Sequence, residues 1–329
     1  MNFFKTLLAV LVGLFLFSFL GVILFIGIIG ASTAEPEVAV SANTVLHLNL
    51  DRPIEDRGYN DPLGDLPGIT MPSNSYGLIR MKEVLRKAAS DERVKGIYLE
   101  SPMIMAGFAI TDELREALSE FKESGKFIIA HAELYTEQGY YLASVADEVY
   151  TTETSAIEFN GLAAELIFFK GTLDKLGVEP QVFRVGDFKS AVEPFTRKDM
   201  SPENEQQMME LVTGVYDIVL DRISESRGLD REELARISSK MEVTGPESAL
   251  KHNLIDGIVY YDEVMSKMKG RIGIDEDDDL KMISYAKYEK AAGTEGSGNE
   301  SSHYSADLSK DSGNCFFNER FAATYLRLR

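Results

Sequence analysis

The stretch FRVGDFKSAVEPFTRKDMS, residues 183–201, sets one lysine between an apolar approach and small residues. Phe183, Val185, Gly186 and Phe188 precede Lys189, Ser190 and Ala191 follow it, and Glu193 comes just before Pro194. A lysine amine ionises near 10.4 in water, so one acting as a base near neutrality has to fall to about 7 or 8. Desolvation can supply such a shift, which corresponds to about 4 kcal/mol. A neutral amine can then take the proton of a serine hydroxyl, the arrangement of Ser-Lys hydrolases. The same residues also read as a loop lysine paired with Asp187 or Glu193, and spacing alone does not choose between the two.

The remaining chemistry-bearing residues form no recognisable set. No HExxH, CxxC, Walker loop or GxGxxG occurs, and neither a metal nor a cofactor is expected. The histidines His47, His131, His252 and His303 show no ligand spacing and read as structural. The run DEDDD at 275–279 starts like a calcium loop, but Leu280 stands where glycine is needed and Ala286 where glutamate is. Ser144 has no GxSxG elbow around it.

These residues must be held by regular elements. TVLHLNLDRPI at 44–54 alternates like a strand. Residues 76–94 place Leu78, Met81, Val84, Leu85 and Ala88 at helical spacing, and KGIYLES at 95–101 reads as a short buried strand. Residues 110–126 read as a helix, with Thr111 as its cap and Gly125 as its stop. KFIIAHAEL, QGYYLASVA and EVYTT continue as strand, helix, strand, a rhythm that implies a largely parallel α/β sheet. Further on, TLDKLGVEPQVFRVGDFK reads as helix, strand and then the lysine segment. The next helix opens on Ser201 and Pro202, carries a stripe from Met208 to Ile223 and stops at Gly228. Asp230 and Glu233 predict a capping box on the helix after it, and residues 244–268 read as helix, turn, strand, helix.

Composition bounds the whole. The 329 residues carry a net charge of −19, which disfavours a nucleic-acid partner because phosphate binding needs clustered positive charge. The single cysteine, Cys315, excludes an intrachain disulfide. From Thr6 to Ala34 no residue is charged, and the apolar core Leu7–Ile29 would span about 34 Å as a helix, enough to cross a bilayer. An uncleaved anchor is expected, with GASTA at 30–34 as the competing cleavage site. Lys5 precedes the span, which predicts a cytoplasmic N-terminus and residues 35–329 on the far side. Three parts are expected: 1–34 as anchor and flank, 35–290 as an α/β domain, and 291–329, Gly/Ser/Asn-rich at its start, as a disordered or aberrant tail.

The segments YTEQGYYLASVADEVYTTETSAIEFNGLAAELIFFKGTLDKLGVEP and VGDFKSAVEPFTRKDMSPENEQQ resemble the signal peptide peptidase A (protease IV) family. The resemblance runs over roughly residues 1–270, matches the N-terminal half of the long, two-domain form, and rests on YYLASVAD, FFKGTLDKLGV and KSAVEPF in the family's order and spacing. It implies a ClpP/crotonase-like fold of stacked β-β-α units behind one transmembrane helix. It also implies a homo-oligomer in the inner (cytoplasmic) membrane, facing the extracytoplasmic side. The implied reaction is cleavage of residual signal peptides by a serine and a lysine.

Carried over, Lys189 falls on the general base, with Ser190 and Glu193 as supporting residues. The short-form serine place is held by Glu137, and ESPMIMAGF at 100–108 keeps one glycine where oxyanion-hole amides would be expected. The chain then supplies the base but no nucleophile of its own, as a truncated member of the family would. The other readings are a catalytically inactive, membrane-anchored scaffold that binds peptides through the same fold, and an acyl-CoA enzyme of the crotonase type, which the membrane span weakens.

Overall fold

The computed structural model describes residues 2–32, 39–58, 75–100, 103–183 and 185–291. The expectation of a tail at 291–329 lies, Ala291 apart, outside them. The N-terminal unit is one helix, α1 (Asn2–Ser32), within which Phe3–Leu24 is long and apolar enough to cross a membrane. Its described side chains are all exposed.

The second unit begins at Val40. Its elements in order are β1 (Thr44–Asn49), β2 (Ile54–Glu55), β3 (Tyr76–Gly77), α2 (Leu78–Ser90), β4 (Val94–Glu100) and α3 (Phe108–Lys122). Then come β5 (Phe127–His131), β6 (Leu134–Tyr135), α4 (Glu137–Ala143), β7 (Glu148–Thr151), β8 (Ala156–Ile157) and α5 (Lys170–Leu176). After a 3-10 turn at Ser190–Val192 follow α6 (Glu193–Thr196), α7 (Pro202–Arg227), α8 (Arg231–Ser239), α9 (Pro246–Lys251), β9 (Gly257–Ile258), α10 (Tyr261–Ile272), β10 (Lys281–Ser284) and α11 (Tyr285–Ala291).

Six strands form one sheet in the order β10-β1-β4-β5-β7-β9, and every pairing in it is parallel. Parallel neighbours need crossovers, and helices on the faces bury the strands on both sides. That is why Ile97–Leu99 and Phe127–His131 are buried without alternation. On one face α10 sets Val264 and Met268 against Val45, Tyr98, Phe127, Ile129 and Tyr150. Two small parallel pairs, β2–β3 and β6–β8, lie off this sheet. The repeating unit is therefore a sheet strand, a short strand turned out of the sheet, and a helix, seen in β5-β6-α4. Gly96 belongs to this packing: a Cβ there would lie 2.6 Å from the Phe127 ring across the β4–β5 pair.

Several boundaries differ from expectation. Helix α3 starts at Phe108, capped by Gly107, and Thr111 is buried inside it with its hydroxyl donating to the Gly107 carbonyl. The apolar residues Phe108 and Ile110 extend the helical face backwards past the polar cap signal. Ser201 and Pro202 open α7 as expected, the serine Oγ accepting from Asn204 N, and Gly228 closes it in the left-handed region. Of its predicted stripe only Val219 and Ile223 are buried, with Leu220 beside them; Met209 and Leu211 stand exposed. Asp230 caps α8 by accepting from Glu233 N, but the Glu233 carboxylate pairs with Arg236. No strand forms between Gly177 and Lys189 among the described residues. Strand β10, which pairs with β1, and helix α11 carry no motif that announces them.

Candidate functional site

Lys189 lies at the start of the Ser190–Val192 turn and is exposed in the single chain. The approach that was expected to shield it is itself exposed: Phe183 is 97% accessible and Val185 91%. Among the described residues no strand forms over 178–189.

The residues just after Lys189 are held firmly. Glu193 is fully buried. Its carboxylate accepts from Ser201 N at 3.1 Å, Ser201 Oγ at 2.5 Å and Asn204 Nδ2 at 2.9 Å. Burial works against its charge, but these donors outweigh burial and hold its pKa below the ordinary carboxylate value. Glu193 thus ties the turn that follows Lys189 to the N-terminus of α7. The tie is reinforced where Phe169 N donates to the Pro194 carbonyl and the Phe169 and Phe195 rings stack at 5.9 Å. Ser190 is half-buried in the turn itself.

Glu137 is the first residue of α4, next to the cap Thr136. Its Oε2 accepts from two consecutive backbone amides, Asn160 N at 2.8 Å and Gly161 N at 3.3 Å. Its Oε1 is buried with no hydrogen-bond partner. Tyr216 of α7 lies beside the carboxyl, but its hydroxyl donates to Ser238 Oγ of α8 at 2.5 Å. Burial pushes the Glu137 carboxyl up to about 7, and the two amides and the Tyr216 phenol draw it back only in part. Gly161 adopts φ +89°, a conformation that side chains resist, and the Asn-Gly pair was the one local signal of this turn.

Sequence reasoning missed the surroundings of Glu137, because Asn160, Tyr216 and Ser238 come from three separate elements. A cavity of about 250 Å³ opens beside them, between the 160–162 turn and helices α7 and α8. A second cleft, of about 600 Å³, lies between α3 and α7. At its edge the buried Arg115 donates to the carbonyls of Tyr141 and Arg222 and to Ser144 Oγ and Ser226 Oγ. Neither cavity includes Lys189.

The sheet also gathers histidines that are remote in sequence. His47 Nε2 and Glu100 Oε2 lie 2.8 Å apart, and the Tyr98 hydroxyl lies 3.3 Å from His131 Nδ1. Burial holds the His131 pKa below its ordinary value. Among the described residues no group of three or more His, Cys, Asp or Glu could hold a metal ion.

Residues 120–275 match peptidase family S49. The chain is 32% identical over 216 residues to "Serine protease SPPA, chloroplastic" of Arabidopsis thaliana, covering 66% of this chain and 32% of that protein. It is 31% identical over 287 residues to "Protease 4" of Haemophilus influenzae, covering 82% and 46%. It is 31% identical over 224 residues to "Protease 4" of Salmonella typhi, covering 64% and 36%. The chain thus spans less than half the length of these relatives. A solved membrane-bound stomatin-specific protease superposes at a TM-score of 0.36 with 11% identity, covering 74% of this chain and 98% of that one.

Proposed function

Because the chain belongs to the signal peptide peptidase A (protease 4) family, we propose that it is the base-bearing part of a membrane-anchored serine peptidase that cleaves residual signal peptides. Lys189 is the general base. Its neutral amine takes the proton of a serine hydroxyl, the alkoxide attacks the scissile carbonyl, and the lysine passes the proton to the leaving amine. The serine comes from another repeat or another chain, since Glu137 fills its place here.

The observation that carries this reading is the contrast around Lys189. The turn that follows it is fixed by the buried Glu193, while the apolar residues Phe183, Val185 and Phe188 in front of it are uncovered. A second copy laid over these residues would remove water from the amine, and the functional unit is therefore a homo-oligomer. Helix α1 would tether the assembly to the inner membrane with the α/β unit on the extracytoplasmic side. An apolar, extended peptide could then bind by backbone pairing.

The test is hydrolysis of a signal-peptide-like substrate by the full chain in detergent, alone and mixed with a serine-bearing member of the family, each with Lys189→Ala as control. Hydrolysis in the mixture that falls about 10²–10⁴-fold in the variant is the expected result. Hydrolysis untouched by the variant removes Lys189 from the mechanism. No hydrolysis in any combination replaces the peptidase by the inactive scaffold.

A further inference from the structure

We infer that Glu137 is a proton-gated clasp: its carboxyl holds the Asn160–Gly161 turn, and losing its proton loosens that hold. The two oxygens of this one side chain are placed differently. Oε2 accepts from both amides of the turn, whereas Oε1 is buried and receives no donor. An ionised carboxylate makes stronger hydrogen bonds to amides than a neutral acid does, so the two amides by themselves favour the charge. The orphaned Oε1 opposes that charge, because a buried anionic oxygen without a donor loses its solvation and gains nothing in return. Burial outweighs the amides and pushes the carboxyl up to about 7, so the closed, buried clasp holds its proton more tightly than an opened, solvated one and ionisation favours opening.

The groups that act on this carboxyl come from several elements. Glu158, just after β8, repels the charge. Tyr216 of α7 favours the charge weakly, its own proton being directed to Ser238 of α8. Tyr140, on the same helix, is fully buried and donates to the Leu254 carbonyl.

The consequence runs outward along the chain. After Glu158 N, which donates to the Tyr135 carbonyl, the next described backbone hydrogen bond outside regular elements is that of Phe169 N to the Pro194 carbonyl. The intervening 159–168 run has no helix or strand, and the clasp fixes its beginning. That turn also forms one wall of the cavity against α7 and α8, so releasing it changes the shape of the cavity. That the released segment leads to the proposed base rests on the functional reading above; the clasp itself does not.

The experiment is hydrogen exchange followed by mass spectrometry on the full chain in detergent, from pH 6 to pH 8, corrected for intrinsic exchange rates. Protection of peptides containing Asn160 and Gly161 should fall several-fold across this range and be flat in Glu137→Gln. Tyr216→Phe, which removes the phenol that favours the charge, should move the midpoint to higher pH. A flat wild-type profile, or a Glu137→Gln profile that falls like the wild type, overturns the clasp. Should Glu137→Gln not fold, the Tyr216→Phe midpoint decides: an upward shift supports the clasp and no shift overturns it. Exchange needs no turnover, so a chain that hydrolyses nothing still reveals whether Glu137 holds the turn.

Discussion

At the scale of single residues, two carboxylates that each open a short helix have opposite fates. Glu193 meets donors at both oxygens and stays charged. Glu137 meets donors at one oxygen only and is pushed up to about 7. Replacing Glu193 with alanine leaves the Asn204 amide and the Ser201 hydroxyl buried without their acceptor. The expected cost is about 3 kcal/mol, read as a fall in the denaturant midpoint at pH 7. Because the folded pKa of Glu193 is lowered, its stabilising charge is fully present above about 4.5 and is lost as pH falls through the folded value. Glu193→Gln should therefore flatten the acid side of the stability profile and leave the alkaline side unchanged in slope.

At the scale of elements, the sheet depends on close approaches that admit no extra atom. Strand β4 runs between β1 and β5, and Gly96 lies under the ring of Phe127. Gly96→Ala forces that ring or the strand to move, at a cost of about 1–3 kcal/mol. Thermal unfolding measures it, and pairing the change with Phe127→Leu should recover part of the loss; no recovery would place the cost elsewhere. Helices are joined in a different way. Arg115 links α3 to α4 and α7 by donating only to carbonyls and hydroxyls, and its guanidinium lies 5.1 Å from the Tyr141 ring centre. Burial without a carboxylate partner lowers its pKa, so the link works through geometry rather than through an ion pair.

At the scale of the whole molecule, proton linkage adds up over buried groups. Glu137 has a raised folded pKa, so the stability it contributes is full below about 4.5 and is lost as pH rises through about 7. His131 has a lowered folded pKa, so its contribution is full above 6.5 and is lost as pH falls below that value. The two slopes oppose each other between them, which favours a shallow optimum in mildly acidic solution. Glu137→Gln removes one slope. Its stability relative to wild type should be higher at pH 8 than at pH 5, by up to about 3 kcal/mol. Equal differences at the two pH values would show that Glu137 titrates alike in the folded and unfolded chain.

What the sequence determined by itself was local. The uncharged run after Lys5 dictates an apolar helix whatever surrounds it, and Ser201, Pro202 and Gly228 mark the ends of α7 because caps act on their own backbone. Alternating strands and helices likewise announced a parallel sheet. The family motifs pointed to Lys189, and they pointed to Glu137 as an occupant rather than as a participant. Tertiary structure decided the rest, because solvation belongs to the layers around a group and not to its neighbours in the chain. It left Phe183 and Lys189 uncovered although their sequence is apolar enough for a strand. It also drew Asn160, Tyr216 and Ser238 around Glu137, leaving the carboxyl that stands in the serine place with a buried oxygen that has no hydrogen-bond partner.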